Sequence, residues 1–215
     1  MFEPWIGENY GKAGDAIGGR RLMILGESHY TETEQDVGTS PAGFTSRTVR
    51  SLGIEGRHLF FARLQEIVTE RKPEDQTAAE KSAFWKSVAF YNYVPVLADG
   101  RPVAEGGAAR RPTQEMFRAG AEPFHITKRC VQPHAIIVCG IELWNWLAPN
   151  LEGYQGPARD IIFYDDGEVM YARTHHPSWR FFKPSKWYPR TRKLLELSGE
   201  PRELGRKVLW TPQDG

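Results

Sequence analysis

Arg21-Leu-Met-Ile-Leu-Gly-Glu-Ser-His-Tyr30 is the stretch on which the fold of this chain turns. Leu22 to Leu25 show no polar alternation, the pattern of a central parallel strand covered on both faces. Gly26 lets the backbone turn without a Cβ clash, and four side chains capable of chemistry follow at once: Glu27, Ser28, His29 and Tyr30. In open α/β sheets, ligands sit beyond the carboxyl ends of such strands, which makes these four residues candidates for function. A solvated strand exit would carry the same residue types, because no single Gly-Glu-Ser-His-Tyr is specific.

The same grammar recurs outward from this strand. Met1 to Gly19 reads as an irregular or short helical lead-in without chemistry of its own. Thr31 to Ser46 is a polar loop whose large apolar residue, Phe44, is either a ring for ligand stacking or a plug. Arg57 to Arg71 has helical spacing and ends before Pro73, while Thr77 to Trp85 is a second helix with Glu80 completing a capping box. Ser87 to Val96 reads as a second strand, whose exit puts Asn92 and Tyr93 at the same sheet edge as Glu27. Leu97 to Arg111 is expected to be an exposed loop, and Pro112 to sit in the first turn of the helix that follows.

Pro133 to Leu147 repeats strand, glycine and helix, with Ile141, Trp144 and Leu147 expected on one side. Ile161 to Arg173 forms a hairpin turning at Asp166-Gly167, and its second arm runs into Thr174-His-His-Pro-Ser178. Pro189 to Ser198 is the last helix, followed by a loosely held tail. The series describes one α/β domain over residues 1–215, a three-layer αβα arrangement around a central, mainly parallel four-stranded sheet.

Composition removes several function classes. Two cysteines, Cys130 and Cys139, are too few for a disulfide framework and lack the spacing of a zinc or iron–sulfur site, so no metal or cofactor is expected. No apolar run approaches membrane-spanning length and the N-terminus lacks a leader pattern, which points to a cytoplasmic protein. The net charge of +1 hides an asymmetry. Between Arg173 and Lys193 lie Arg180, Lys183, Lys186, Arg190 and Arg192 with no Asp or Glu, interleaved with Trp179, Phe181, Phe182, Trp187 and Tyr188. Such a strip suits phosphate contacts combined with base stacking, and a solvated amphipathic face would look the same.

Three strand ends, Gly26-Glu-Ser-His-Tyr30, Tyr91-Asn92-Tyr93 and His175-His176-Pro177-Ser178, occur in an order that resembles the uracil-DNA glycosylase superfamily. The resemblance spans about Arg21 to Leu195, with the His-Pro-Ser element its most specific piece. It implies a DNA repair enzyme that flips uracil or another deaminated base out of DNA and hydrolyses its N-glycosidic bond. Glu27 and His176 are then the catalytic pair, and Tyr30, Phe44 and Asn92 hold the base. Ser178, Trp179, Arg180, Lys183 and Lys186 contact DNA, with Arg180 as the wedge. The implied partner is DNA carrying such a base, met by a monomer away from any membrane.

Ser28 and His29 depart from the family's first motif, where aspartate and proline are common, so a nucleic-acid-binding protein without turnover is the alternative reading. A hydrolase using Ser28 with a histidine is a third, although the second glycine of a nucleophile elbow is missing. His175 is expected to point away from His176. His58, His125 and His134 have no convergent partners in sequence, and a metal site from His29, His175 and His176 is disfavoured.

Overall fold

The computed structural model describes residues 1–102, 110–154, 163–201 and 203–208. Its strands, in chain order, are β1 (Trp5–Ile6), β2 (Leu22–Gly26), β3 (Tyr30–Thr31), β4 (Ala89–Asn92), β5 (Ala98–Asp99), β6 (Ala135–Cys139), β7 (Phe163–Asp165), β8 (Met170–Thr174) and β9 (Lys207–Val208). The helices are α1 (Phe44–Thr48), α2 (Leu59–Thr69), α3 (Ala78–Ser87), α4 (Gln114–Arg118), α5 (Ala121–Val131), α6 (Ile141–Leu147) and α7 (Tyr188–Leu197).

The main sheet has the order β1-β4-β2-β6-β8-β7-β9, in which β4, β2, β6 and β8 run parallel. It is therefore wider than the four strands expected. β1 pairs antiparallel with β4 at one edge, and β7 and β9 extend the other edge antiparallel. The lead-in, read from sequence as irregular or short helical, and the described part of the tail, read as loosely held, thus both contribute edge strands. They are two-residue pieces whose pairing depends on neighbours far away in sequence, so no local periodicity marks them.

Alternation along the strands explains the three layers. Leu22, Ile24, Phe90 and Ile137 face a cluster with Phe60, Leu64, Phe84, Trp85 and Leu194 from α2, α3 and α7. Met23, Leu25, Tyr91, Ile136 and Val138 face the opposite cluster, with Phe117, Phe124, Leu143, Trp144 and Leu147 from α4, α5 and α6. All five residues of β2 are buried, as its unbroken apolar run requires. Each large apolar side chain so removed from water stabilises the fold by about 1.5–3 kcal/mol before entropy is counted.

Several boundaries move for identifiable reasons. The second strand is Ala89–Asn92 and not Ser87–Val96, because Ser87 closes α3 and the chain turns after Asn92. There the Tyr93 and Val94 N–H groups donate to the carbonyls of Gly26 (3.0 Å) and Glu27 (2.9 Å), which staples two strand exits together. Pro112 lies before α4 and not in its first turn: Thr113 is the N-cap, and its hydroxyl accepts the Met116 N–H at 3.3 Å. Ile141 is exposed, whereas Leu143, Trp144 and Leu147 form the buried face of α6. The loop over Thr31 to Ser46 ends in α1, which Phe44 opens, and α1 continues into a π-helical stretch, Val49–Glu55. The Thr77–Glu80 capping box forms as read, and the hairpin is present as β7 and β8, its residues 161 and 162 lying outside the described part. The segment Leu97 to Arg111, expected to be an exposed loop, begins buried at Leu97 and Ala98, and Ala98–Asp99 forms β5, which pairs parallel with β3 in a separate two-stranded sheet; residues 103–109 lie outside the described part. Among the described residues, no helix is long and apolar enough to cross a membrane.

Candidate functional site at the strand exits

The exits of β2, β4 and β8 open onto one cavity of about 350 Å³, lined among others by Glu27, Ser28, Tyr30, Phe44, Asn92 and His176. Gly26 sits opposite Asn92 in the parallel register, and a Cβ on Gly26 would lie 2.1 Å from Asn92 Oδ1. The glycine is needed here for close approach: its bare Cα gives the asparagine amide room. Asn92 is 4% exposed and its side-chain amide makes no hydrogen bond among the described residues.

Glu27 is 6% exposed and carries its charge at the border of this cavity. Tyr30 Oη donates to Oε1 at 3.3 Å, and Arg111 Nη2 lies 2.7 Å from Oε2. Burial pushes the Glu27 carboxyl above the ordinary glutamate range; the Arg111 charge opposes this, Glu142 adds to the rise, and the Tyr30 hydrogen bond opposes it. Arg111 escaped the sequence reading. Its two partners, Glu27 and Glu142, lie 84 and 31 residues away, and no local pattern signals such a bridge.

His176 lies in the loop after β8. Its Nδ1 accepts the Ser178 backbone N–H at 3.2 Å, leaving the ring proton on Nε2. Burial, then the Arg111 charge, lower its pKa to about 4, so the imidazole is neutral at physiological pH. The ring lies 5.4 Å from that of Phe60 on α2. The loop itself is held from α2 by Arg63, which donates to the Pro177 carbonyl and, at 3.0 Å, to the Trp179 carbonyl. His175 packs on Trp179 (5.0 Å) and Trp187 (5.5 Å) and does not line this cavity, but it lines a neighbouring hollow together with His176, so the two rings are not wholly separated as the strand alternation suggested.

His29, odd in the sequence, has a structural task. It is 5% exposed, its Nε2 is 3.0 Å from Thr45 Oγ1, and its ring makes edge contacts with Phe2 (4.9 Å) and Phe44 (5.0 Å). It thereby ties the β2 exit to α1 and sets the Phe44 ring on the cavity wall. Phe2 supports the same cluster, so the lead-in contributes to the site after all. His58, expected to stand apart, also lines the cavity. No histidine is hydrogen-bonded to Ser28 among the described residues. No group of His, Cys, Asp and Glu among them suits a metal ion.

A second hollow of about 420 Å³ shares Glu27, His176 and Ser178 with the first and adds Arg111, Ile141, Glu142, His175 and Trp179 among others. Beyond it the rim carries exposed Trp179 and Phe181, with Arg180 4.4 Å over the Phe181 ring. The basic strip divides. Arg180, Lys183 and Lys186 make no ion pair among the described residues, whereas Arg192 is bidentate to Glu70 and Lys193 pairs with Glu196 at 3.2 Å. Phe182 and Trp187 are not available for stacking on a ligand: they are buried and stacked on one another at 5.8 Å.

No protein-family model matches the sequence, and no curated protein matches it.

Proposed function

We propose that the chain is a DNA glycosylase-like hydrolase of the uracil-DNA glycosylase fold, which releases uracil or another deaminated base from DNA by base flipping. One observation carries the reading: Glu27, Asn92 and His176, from three separate strand exits, line one cavity with Phe44 on its wall. Cleavage of an N-glycosidic bond leaves positive charge on the sugar and sends the bonding electron pair into the base. A suitable site supplies a carboxylate on the first side and an uncharged donor on the second.

In this reading the flipped base stacks on Phe44, and the Asn92 amide, able both to donate and to accept, reads its polar edge. The Nε2 proton of His176 bonds the base carbonyl that gains negative charge, and neutrality of the ring lets it serve as a donor throughout the working pH range. The Glu27 carboxylate faces the sugar, stabilises its developing cation and takes the proton of the water that adds at the anomeric carbon. One preorganised donor of this kind is worth roughly 3–4 kcal/mol of transition-state stabilisation. The rim supplies what extrusion needs: Arg180 with Phe181 to fill the emptied stack, and Lys183 and Lys186 for phosphates.

The test is formation of abasic sites in labelled oligonucleotides carrying uracil, hypoxanthine or xanthine, with protein in excess. Strand scission on alkali treatment supports the proposal. Salt-dependent binding with every substrate intact would favour instead the nucleic-acid-binding reading that Ser28 and His29 raise.

A further inference from the structure

We infer that Arg111 is a positioning residue for the reaction proposed above, orienting the Glu27 carboxylate by sharing one guanidinium nitrogen between Glu27 and Glu142. The inference rests on the base-hydrolysis reading, but its physical core is separable from it. Arg111 Nη2 is 2.7 Å from Glu27 Oε2 and 2.6 Å from Glu142 Oε2. The two carboxylates differ sharply in setting. Glu142 is half-exposed on α6, where an ion pair contributes little, while Glu27 is buried at the cavity and its charge depends on what is nearby.

Every group that faces Glu27 fits the assignment. Tyr30 from β3 holds Oε1, Arg111 from the segment before α4 holds Oε2, Glu142 approaches from α6, and the His176 ring beyond β8 is neutral. Asn92 from β4 carries no charge. With Oε1 and Oε2 both engaged, the carboxylate plane is set, and Arg111 is the cation paired with it among the described residues. Glu142 competes for the same nitrogen and adds negative charge beside Glu27, so it acts in the opposite sense. A guanidinium suits the role because its planar N–H groups hold geometry as well as charge, which an ammonium does not.

The experiment is a titration of the glutamate side-chain carbons by NMR on the full chain labelled at glutamate, the Glu27 signal being assigned through its loss in Glu27→Gln. It is run on the wild type, Arg111→Met, Arg111→Lys and Glu142→Gln. The Glu27 midpoint is expected to rise in Arg111→Met and to fall in Glu142→Gln. Base release on the acid limb should drop at least about threefold in Arg111→Met, with partial recovery in Arg111→Lys. A purely structural role would not move two variants in opposite directions. A midpoint that stays in place in folded Arg111→Met overturns the inference, as does a rise in Glu142→Gln. Wild-type protein that releases no base at any pH overturns the hydrolysis reading instead, and the titration still decides whether Arg111 controls Glu27.

Discussion

His176 Nδ1 accepts the Ser178 backbone N–H at 3.2 Å, a bond within its own loop that fixes the tautomer of the ring facing the cavity. The catalytic part proposed for His176 rests on this pair. His176→Ala should lower the rate of base release by more than about tenfold, or about 1.4 kcal/mol of transition-state stabilisation, in single-turnover assays with unchanged DNA affinity. An unaltered rate in the folded variant removes His176 from the reaction.

Gly26 and Asn92 form the second test, because the space one lacks is the space the other fills. Asn92→Ala should also cost more than about tenfold in rate. Gly26→Ala, which places a methyl 2.1 Å from Asn92 Oδ1, should do as much damage without touching the reacting groups. A Gly26→Ala variant that releases base as fast as the wild type would show that the position of the Asn92 amide does not matter.

His29 makes a prediction about stability. Burial lowers its pKa from 6.5 to about 4, so the unfolded chain binds its proton more readily than the folded chain does. The unfolding free energy should therefore hold above about pH 6.5 and decline as pH falls toward 4, with His176 adding to the same slope. His29→Ala should destabilise the fold by about 1–3 kcal/mol, because it removes the Thr45 hydrogen bond and the ring packing against Phe2 and Phe44. Denaturant unfolding between pH 4 and 7 checks both points, and the variant should show a shallower pH slope than the wild type.

The framework of this site was legible in the sequence because its signals are local. The apolar run of β2, the glycine that ends it, the Thr77–Glu80 box and the proline after His176 each declare themselves within a few residues. What stayed hidden depends on pairs the fold creates. Arg111 meets Glu27 across 84 residues, and Arg192 is neutralised by Glu70 across 122. His29 looked like a broken motif because its partners, Phe2 and Thr45, lie on either side of it in elements whose packing no periodicity reveals.

The divided basic strip predicts unequal effects on DNA affinity. Replacing Arg180, Lys183 and Lys186 by alanine should weaken binding. For every phosphate that one of these cations neutralises, its removal should make the slope of log K against log salt shallower by about 0.7–0.9. Replacing Arg192 and Lys193, which already face Glu70 and Glu196, should change the slope much less. Equal slopes for the two sets, measured by fluorescence anisotropy over a salt series, would count against a binding face at the rim.

The most direct measurement of the central claim is mass-spectrometric detection of free base after incubating wild-type protein with an oligonucleotide containing a single uracil, alongside hypoxanthine and xanthine counterparts. The account predicts release of one free base per abasic site formed, and its loss in Asn92→Ala and His176→Ala. Intact oligonucleotides and no free base from all three substrates, with wild-type protein in excess and folded, would contradict it.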